Sequence, residues 1–195
     1  MPEPDRRTAG GRIVYLMGAS GAGKDSLIDY ALSHFPGPRN FAVVRRYVTR
    51  KSSGENSRCD HPLTPAEFRR RQQEGFFCMT WQGYGYHYGI ARQELETLLR
   101  KPLNGIINGS RRYYPQARRQ YPGLVAILVR ADPGLRWLRL ETRRRDDPEE
   151  LAARLKKSDA VSGINENHLP PDHILDNNGP LEVAGEQFIS ILRQL

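Results

Sequence analysis

One run of residues carries the clearest chemistry in this sequence: Gly18, Ala19, Ser20, Gly21, Ala22, Gly23, Lys24, Asp25 and Ser26. A glycine-rich turn lets successive backbone N–H groups face inward and cradle phosphate oxygens. A helix beginning at Lys24 would add the positive end of its dipole, and the Lys24 ammonium would reach the terminal phosphates of a nucleotide. The spacing is that of a Walker A loop, G-x-x-x-x-G-K-[ST], with Asp25 where a hydroxyl is usual. A hydroxyl in that place contacts Mg²⁺, and a carboxylate can serve the same hard cation directly or through water. Without a metal, Asp25 would repel the phosphates it sits beside. The substitution therefore strengthens the expectation of Mg²⁺ with ATP, and Asp25 is the candidate metal ligand.

Such a loop works only between a strand that aims it and a helix that ends it. Residues 12–17 are a short apolar run, read as a buried strand, and residues 24–34 have helical spacing before Pro36-Gly37-Pro38 stops them. A second strand is expected over 41–44, and the polar stretch 49–62 reads as loop. Thr64, Pro65 and Glu67 form the signature of a capped helix start, and that helix should end at Gly75. Strands follow at 76–81 and 86–90 around a glycine-rich turn, then a helix over 93–100. Strand-like runs at 103–108 and 124–129 flank a helix over about 112–120. Helices at 133–143 and 148–162 enclose a charged run, and a strand at 173–176 precedes a closing amphipathic helix at 181–195. Strands alternating with helices imply a parallel sheet with right-handed crossovers. The expectation is one three-layer α/β domain over 1–195, with a frayed tail at 1–11 and a small insertion over about 50–90.

From Arg12 to its last helix, the chain resembles the guanylate-kinase type of P-loop phosphotransferase. Arg46-Tyr47-Val48-Thr49-Arg50, with Glu55 in the polar loop beyond it, looks like that family's phosphate-acceptor segment. Tyr86-His87-Tyr88-Gly89 looks like its acceptor hairpin. Arg139, Arg143, Arg144 and Arg145, with Arg154 further on, look like its arginine lid. The resemblance implies a P-loop nucleotide-kinase fold whose insertion binds the acceptor and whose lid, about 142–150, closes over the reaction. It makes Lys24, Arg143 and Arg154 the catalytic candidates.

The departures matter as much. Guanine presents donors, which guanylate kinases meet with acidic and hydroxyl groups; here the matching places hold Met79, Asn108-Gly109-Ser110 and Ile90-Ala91. Binding guanine would leave its donors unpaired at roughly 1–3 kcal/mol each. Gly23-Lys24-Asp25-Ser26-Leu27, the 46–50 segment, Tyr88-Gly89, Asn108-Gly109-Ser110-Arg111 and Pro115-Gln116-Ala117-Arg118 instead resemble the ribose 1,5-bisphosphate phosphokinase family of bacterial phosphonate use. That family makes 5-phosphoribosyl 1-diphosphate from ATP and ribose 1,5-bisphosphate. An acceptor phosphate is already anionic at neutral pH, so no general base is needed, and positioning with charge stabilisation carries the rate.

Candidate acceptor ligands are then Arg50 as a phosphate clamp, Tyr88 as a hydrogen-bond donor or an ordinary strand tyrosine, and Asn108 and Ser110 where a strand emerges toward the nucleotide. His61 and His87 could touch substrate or be plain polar side chains, and Asn177 and Asn178 could border adenine. The competing readings are a nucleoside monophosphate kinase with altered base choice, a non-catalytic interaction module and a basic nucleic-acid binder. A module predicts a degraded phosphate loop, whereas Gly18, Gly23 and Lys24 are in place.

Composition bounds the rest. The 195 residues hold 30 Lys and Arg against 22 Asp and Glu, a net charge of +8. All but Lys24, Lys51, Lys101, Lys156 and Lys157 of those cations are arginine, the side chain suited to bidentate phosphate recognition. A nucleic-acid binder would want a stripe of cations with stacking aromatics, but these arginines fall at loop ends and in the lid. No run is apolar enough for a membrane helix and no apolar leader opens the chain. Cys59 and Cys78 are too few for a disulfide framework, so reduced thiols in a cytoplasm are expected. The partners expected are thus ATP and a phosphorylated sugar, with no nucleic acid or membrane, on a monomer or homodimer.

Overall fold

The structure, a computed structural model, describes residues 10–50, 59–142 and 169–195. Its central strand is β1 (Ile13–Gly18), apolar on both sides because both faces are covered. Val14 and Leu16 face one core with α1 (Lys24–His34) and the last helix, α6 (Leu181–Arg193). Ile13, Tyr15 and Met17 face another, with Leu95 of α3 (Arg92–Leu99) and Tyr114 and Ala117 of α4 (Tyr114–Gln120). The result is three layers.

The sheet also contains β2 (Phe41–Val43), β7 (Asn104–Asn108), β8 (Val125–Arg130) and β9 (His173–Asp176), in the order β2-β7-β1-β8-β9. All its pairings are parallel, and β1 lies between β7 and β8 with Leu16 level with Asn108 and Gly18 with Val129. Strand order reverses beside β1, so its carboxyl end opens at the switch point where open α/β sheets bind ligands. Gly18, Asn108 and Asn177 all arrive at that end. The remaining helix of the main layers is α5 (Pro133–Thr142).

A second sheet of four strands, order β4-β3-β6-β5, is built from β3 (Arg46–Val48), β4 (Asp60–Pro62), β5 (Phe77–Gly83) and β6 (Tyr86–Ala91). The hairpin β5–β6 is antiparallel and turns through Tyr84 and Gly85, both at positive φ. Helix α2 (Pro65–Gln73) covers it, with Phe68 stacked on Phe77 at 4.7 Å. The capping box is present: the Glu67 N–H donates to Thr64 Oγ1 at 3.2 Å and the Thr64 N–H to Glu67 Oε2 at 2.8 Å.

Most expected elements stand within a residue or two of where spacing puts them. The polar stretch read as loop differs, because Asp60–Pro62 pairs with Arg46–Val48 as a parallel edge strand. Nothing apolar alternates there; backbone pairing to a distant segment and the charge of Asp60 make the strand. Helix α2 also ends at Gln73, two residues early, where Gly75 takes φ +70° to turn the chain out. Residues 1–9, Glu55, the lid expected over about 142–150 apart from Thr142, and the expected helix at 148–162 lie outside the described residues.

Gly109 joins two candidate ligands, Asn108 and Ser110, and a Cβ placed on it would lie 2.1 Å from the Tyr15 ring. Gly109→Ala should therefore destabilise the fold by about 1–3 kcal/mol, the usual scale of overpacking. A denaturant melt showing an unchanged midpoint would refute this contact.

Candidate active site

The phosphate loop leaves β1 at Gly18 and enters α1 at Lys24. Gly21 and Gly23 take φ of +80° and +93°, the left-handed region where glycine carries no steric penalty. Close approach adds a second reason: a Cβ on Gly21 would lie 2.7 Å from the Arg136 carbonyl, and one on Gly23 would lie 2.3 Å from Asn177 Nδ2. That same amide donates to the Ala22 carbonyl at 2.8 Å. Asn177 is thus a buttress of the loop, and Asn178 accepts from the Asp132 N–H at 2.7 Å. Ala22 is sealed, whereas Ala19, Ser20 and Ser26 are half-buried. The Lys24 ammonium folds back over the loop and donates to the Gly18 and Ala19 carbonyls at 3.0 and 3.1 Å.

Beside the loop, Asn108 Nδ2 donates to Asp25 Oδ1 at 2.5 Å, while the buried Oδ1 of Asn108 has no hydrogen-bond partner. The carbonyl of Asn108 accepts from Arg46 Nη1 at 3.1 Å. Arg46 is buried, and its Nε and Nη2 reach Asp60 Oδ1 at 2.8 and 2.6 Å. Burial works against its charge, but Asp60 and then Asp25 outweigh that and hold the guanidinium above its ordinary range. Arg50 reaches the other Asp60 oxygen at 2.5 Å. The guanidinium of Arg46 also lies 5.5 Å from the centre of the Tyr88 ring, which stacks on Trp81.

Asp25, Asn108 and Arg50 are therefore brought onto one line of polar contacts, with Tyr88 buried alongside. Ser110 is held differently: its N–H donates to the Tyr15 hydroxyl at 2.9 Å and its carbonyl accepts from it at 3.0 Å. Met79 and Ile90 are buried core residues. His61 packs its ring 4.8 Å from Tyr47, and the His87 N–H donates to Thr49 Oγ1 at 2.9 Å. Both cysteines are free and buried, and burial pushes the Cys59 thiol up to about 12. Arg143, Arg145 and Arg154 lie outside the described residues.

Sequence reasoning passed over Asp60, the loop contacts of Arg136 and Asn177's role as buttress. Asp60 had one available signal, a carboxylate ahead of a helix start with Arg45, Arg46 and Arg50 upstream. The intervening loop hid it.

No model of a protein family matches the chain. Curated relatives do. It is 38% identical over 188 residues to ribose 1,5-bisphosphate phosphokinase PhnN of Burkholderia mallei (strain SAVP1), covering 94% of this chain and 96% of that one. It is 36% identical over 187 residues to the Thiobacillus denitrificans protein of that name, covering 93% of each chain. For the Psychromonas ingrahamii protein the figures are 38% over 185 residues, with 94% and 90% covered. Among solved structures, guanylate kinase from Anaplasma phagocytophilum superposes with a TM-score of 0.70 at 18% identity, covering 96% of this chain and 87% of that one. A gluconokinase from Sinorhizobium meliloti 1021 gives 0.51 at 17%, covering 96% and 94%. Those two likenesses establish the P-loop kinase architecture. The sequence relatives go further, and the chain belongs to the ribose 1,5-bisphosphate phosphokinase family.

Proposed function

We propose that this protein transfers the γ-phosphoryl group of ATP to the 1-phosphate of ribose 1,5-bisphosphate, giving 5-phosphoribosyl 1-diphosphate and ADP. One observation supports the reading: the Gly18–Ser26 turn, with Lys24 folded over it, is linked through Asp25 and Asn108 to the arginine pair on Asp60. An acceptor oxygen of the sugar phosphate attacks the γ-phosphorus in line while its bond to the β-bridging oxygen breaks. No proton has to be removed from the nucleophile.

In this scheme Lys24 leaves the loop carbonyls for the terminal phosphates, and the left-handed glycines shape the backbone cradle. Arg50 clamps an acceptor phosphate, Tyr88, Asn108 and Ser110 line the acceptor side, and Arg143 and Arg154 neutralise charge on the transferred group. Mg²⁺ suits the donors present. Among the described residues no group of three or more His, Cys, Asp or Glu could cage an ion, but nucleotide-bound Mg²⁺ takes most ligands from phosphates and water and needs one carboxylate. Asp25, oriented by the Asn108 amide, would hold it. Bound there, the ion would neutralise charge shared by the β- and γ-phosphates. Among the described residues no helix is long and apolar enough to cross a membrane.

Three outcomes test this. With ATP and Mg²⁺, ³¹P NMR should show a sugar diphosphate forming from ribose 1,5-bisphosphate far faster than from ribose 5-phosphate, GMP or AMP; equal turnover of GMP would reject the acceptor assignment. Lys24→Ala should lower turnover about 10²–10³-fold, the scale of one preorganised charge contact, with little movement in a circular dichroism melt. Asp25→Ala should bind metal-free ATP more tightly, because a like charge is gone, yet bind and turn over Mg-ATP worse, with Asp25→Ser recovering part of the loss. Calorimetry with and without Mg²⁺ reads both effects. Parent-like behaviour would leave Asp25 as an ordinary acidic first-turn residue.

A further inference from the structure

Asp60 is 4% exposed and stands on β4, a three-residue edge strand with no apolar face of its own. Three arginines converge on it. Arg46 takes Oδ1, Arg50 takes Oδ2, and Arg45 Nη2 donates to its carbonyl at 2.9 Å. The two guanidiniums on the carboxylate differ in setting: the Arg46 side chain is 10% exposed and that of Arg50 25%. Arg46 is closed into the interior and donates to the Asn108 carbonyl, while the Arg50 side chain is the more exposed of the two.

A lone arginine at a loop end samples many rotamers, and each must be given up when it grips a phosphate. A buried carboxylate on one edge of the fork removes that freedom beforehand and leaves other N–H groups for the ligand. The contacts also continue past Asp60. Arg46 holds the carbonyl of Asn108, and the amide of Asn108 holds Asp25. Arg50 is thereby joined to Asp25 across the gap between the two sheets.

We propose that Asp60 is the positioning residue of the acceptor site, holding Arg50 in its clamping orientation. This rests on the reading of Arg50 as the clamp for a sugar phosphate. The bland alternative is a buried ion pair that only folds the second sheet. Such a pair would lower the melting temperature without acting selectively on the acceptor.

The test is steady-state kinetics with saturating Mg-ATP and varied ribose 1,5-bisphosphate, beside ATP affinity by calorimetry and thermal melts. Asp60→Asn should raise the acceptor KM about ten-fold or more with ATP affinity held within about two-fold. Asp60→Glu keeps the charge that buried Arg46 requires, so it should fold, and it should raise the acceptor KM to a smaller extent. Because Asp60 acts through Arg50, the KM increase in the Arg50→Ala/Asp60→Asn double variant should fall short of the product of the single effects. Unchanged acceptor KM in both Asp60 variants of an active enzyme, or effects that multiply, would overturn the positioning role alone. A parent protein that turns over no sugar bisphosphate would overturn the acceptor reading and this role together.

Discussion

The phosphate loop keeps its shape because two neighbouring elements press on its backbone more closely than any side chain would allow. The Arg136 carbonyl approaches Gly21 from α5, and the Asn177 amide approaches Gly23 from the end of β9 while it holds the Ala22 carbonyl. Both glycines are already at positive φ, so steric room and backbone conformation demand the same residue type. A loop clamped in this way has little freedom left to lose on binding a ligand. Its place beside the strand-order reversal brings the ends of β7 and β9 to the same mouth.

Electrostatics at this mouth is arranged in pairs. Arg46 is buried, which alone would disfavour its charge, and Asp60 and Asp25 restore it. Removing one member of such a pair leaves an uncompensated charge in the interior, which is strongly destabilising. The net charge of +8 therefore says less about function than the position of individual guanidiniums. One is closed inside, and another is held on the same carboxylate with its side chain more exposed.

The same architecture serves a guanylate kinase and a gluconokinase among solved structures, so the sheet does not choose the acceptor. In the proposed reaction, choice of acceptor would rest with side chains rather than with the fold. Met79 and Ile90 are packed into the core, and Tyr88 is held between Trp81 and the Arg46 guanidinium. Neither Met79 nor Ile90 has a side-chain acceptor to offer a base that presents hydrogen-bond donors.

Local chemistry made much of this protein legible from residues alone. The tight turn from Gly18 to Ser26 between a strand and a helix is legible because its conformation depends on glycines a few positions apart. Thr64 and Glu67 declare a capped helix because the box closes within one turn. The apolar runs at β1, β7 and β8 mark a buried parallel sheet, since both faces of those strands must be covered. What the residues could not declare depends on contacts across long stretches of chain. Asp60–Pro62 reads as loop because its pairing partner lies 14 residues away and its strength comes from charge rather than alternation. Asn177 supports Ala22 across 155 residues, and Asn108 meets Asp25 across 83. A polar side chain in a sequence carries no mark of its partner, so only the folded chain decided which carboxylate, amide and guanidinium would meet.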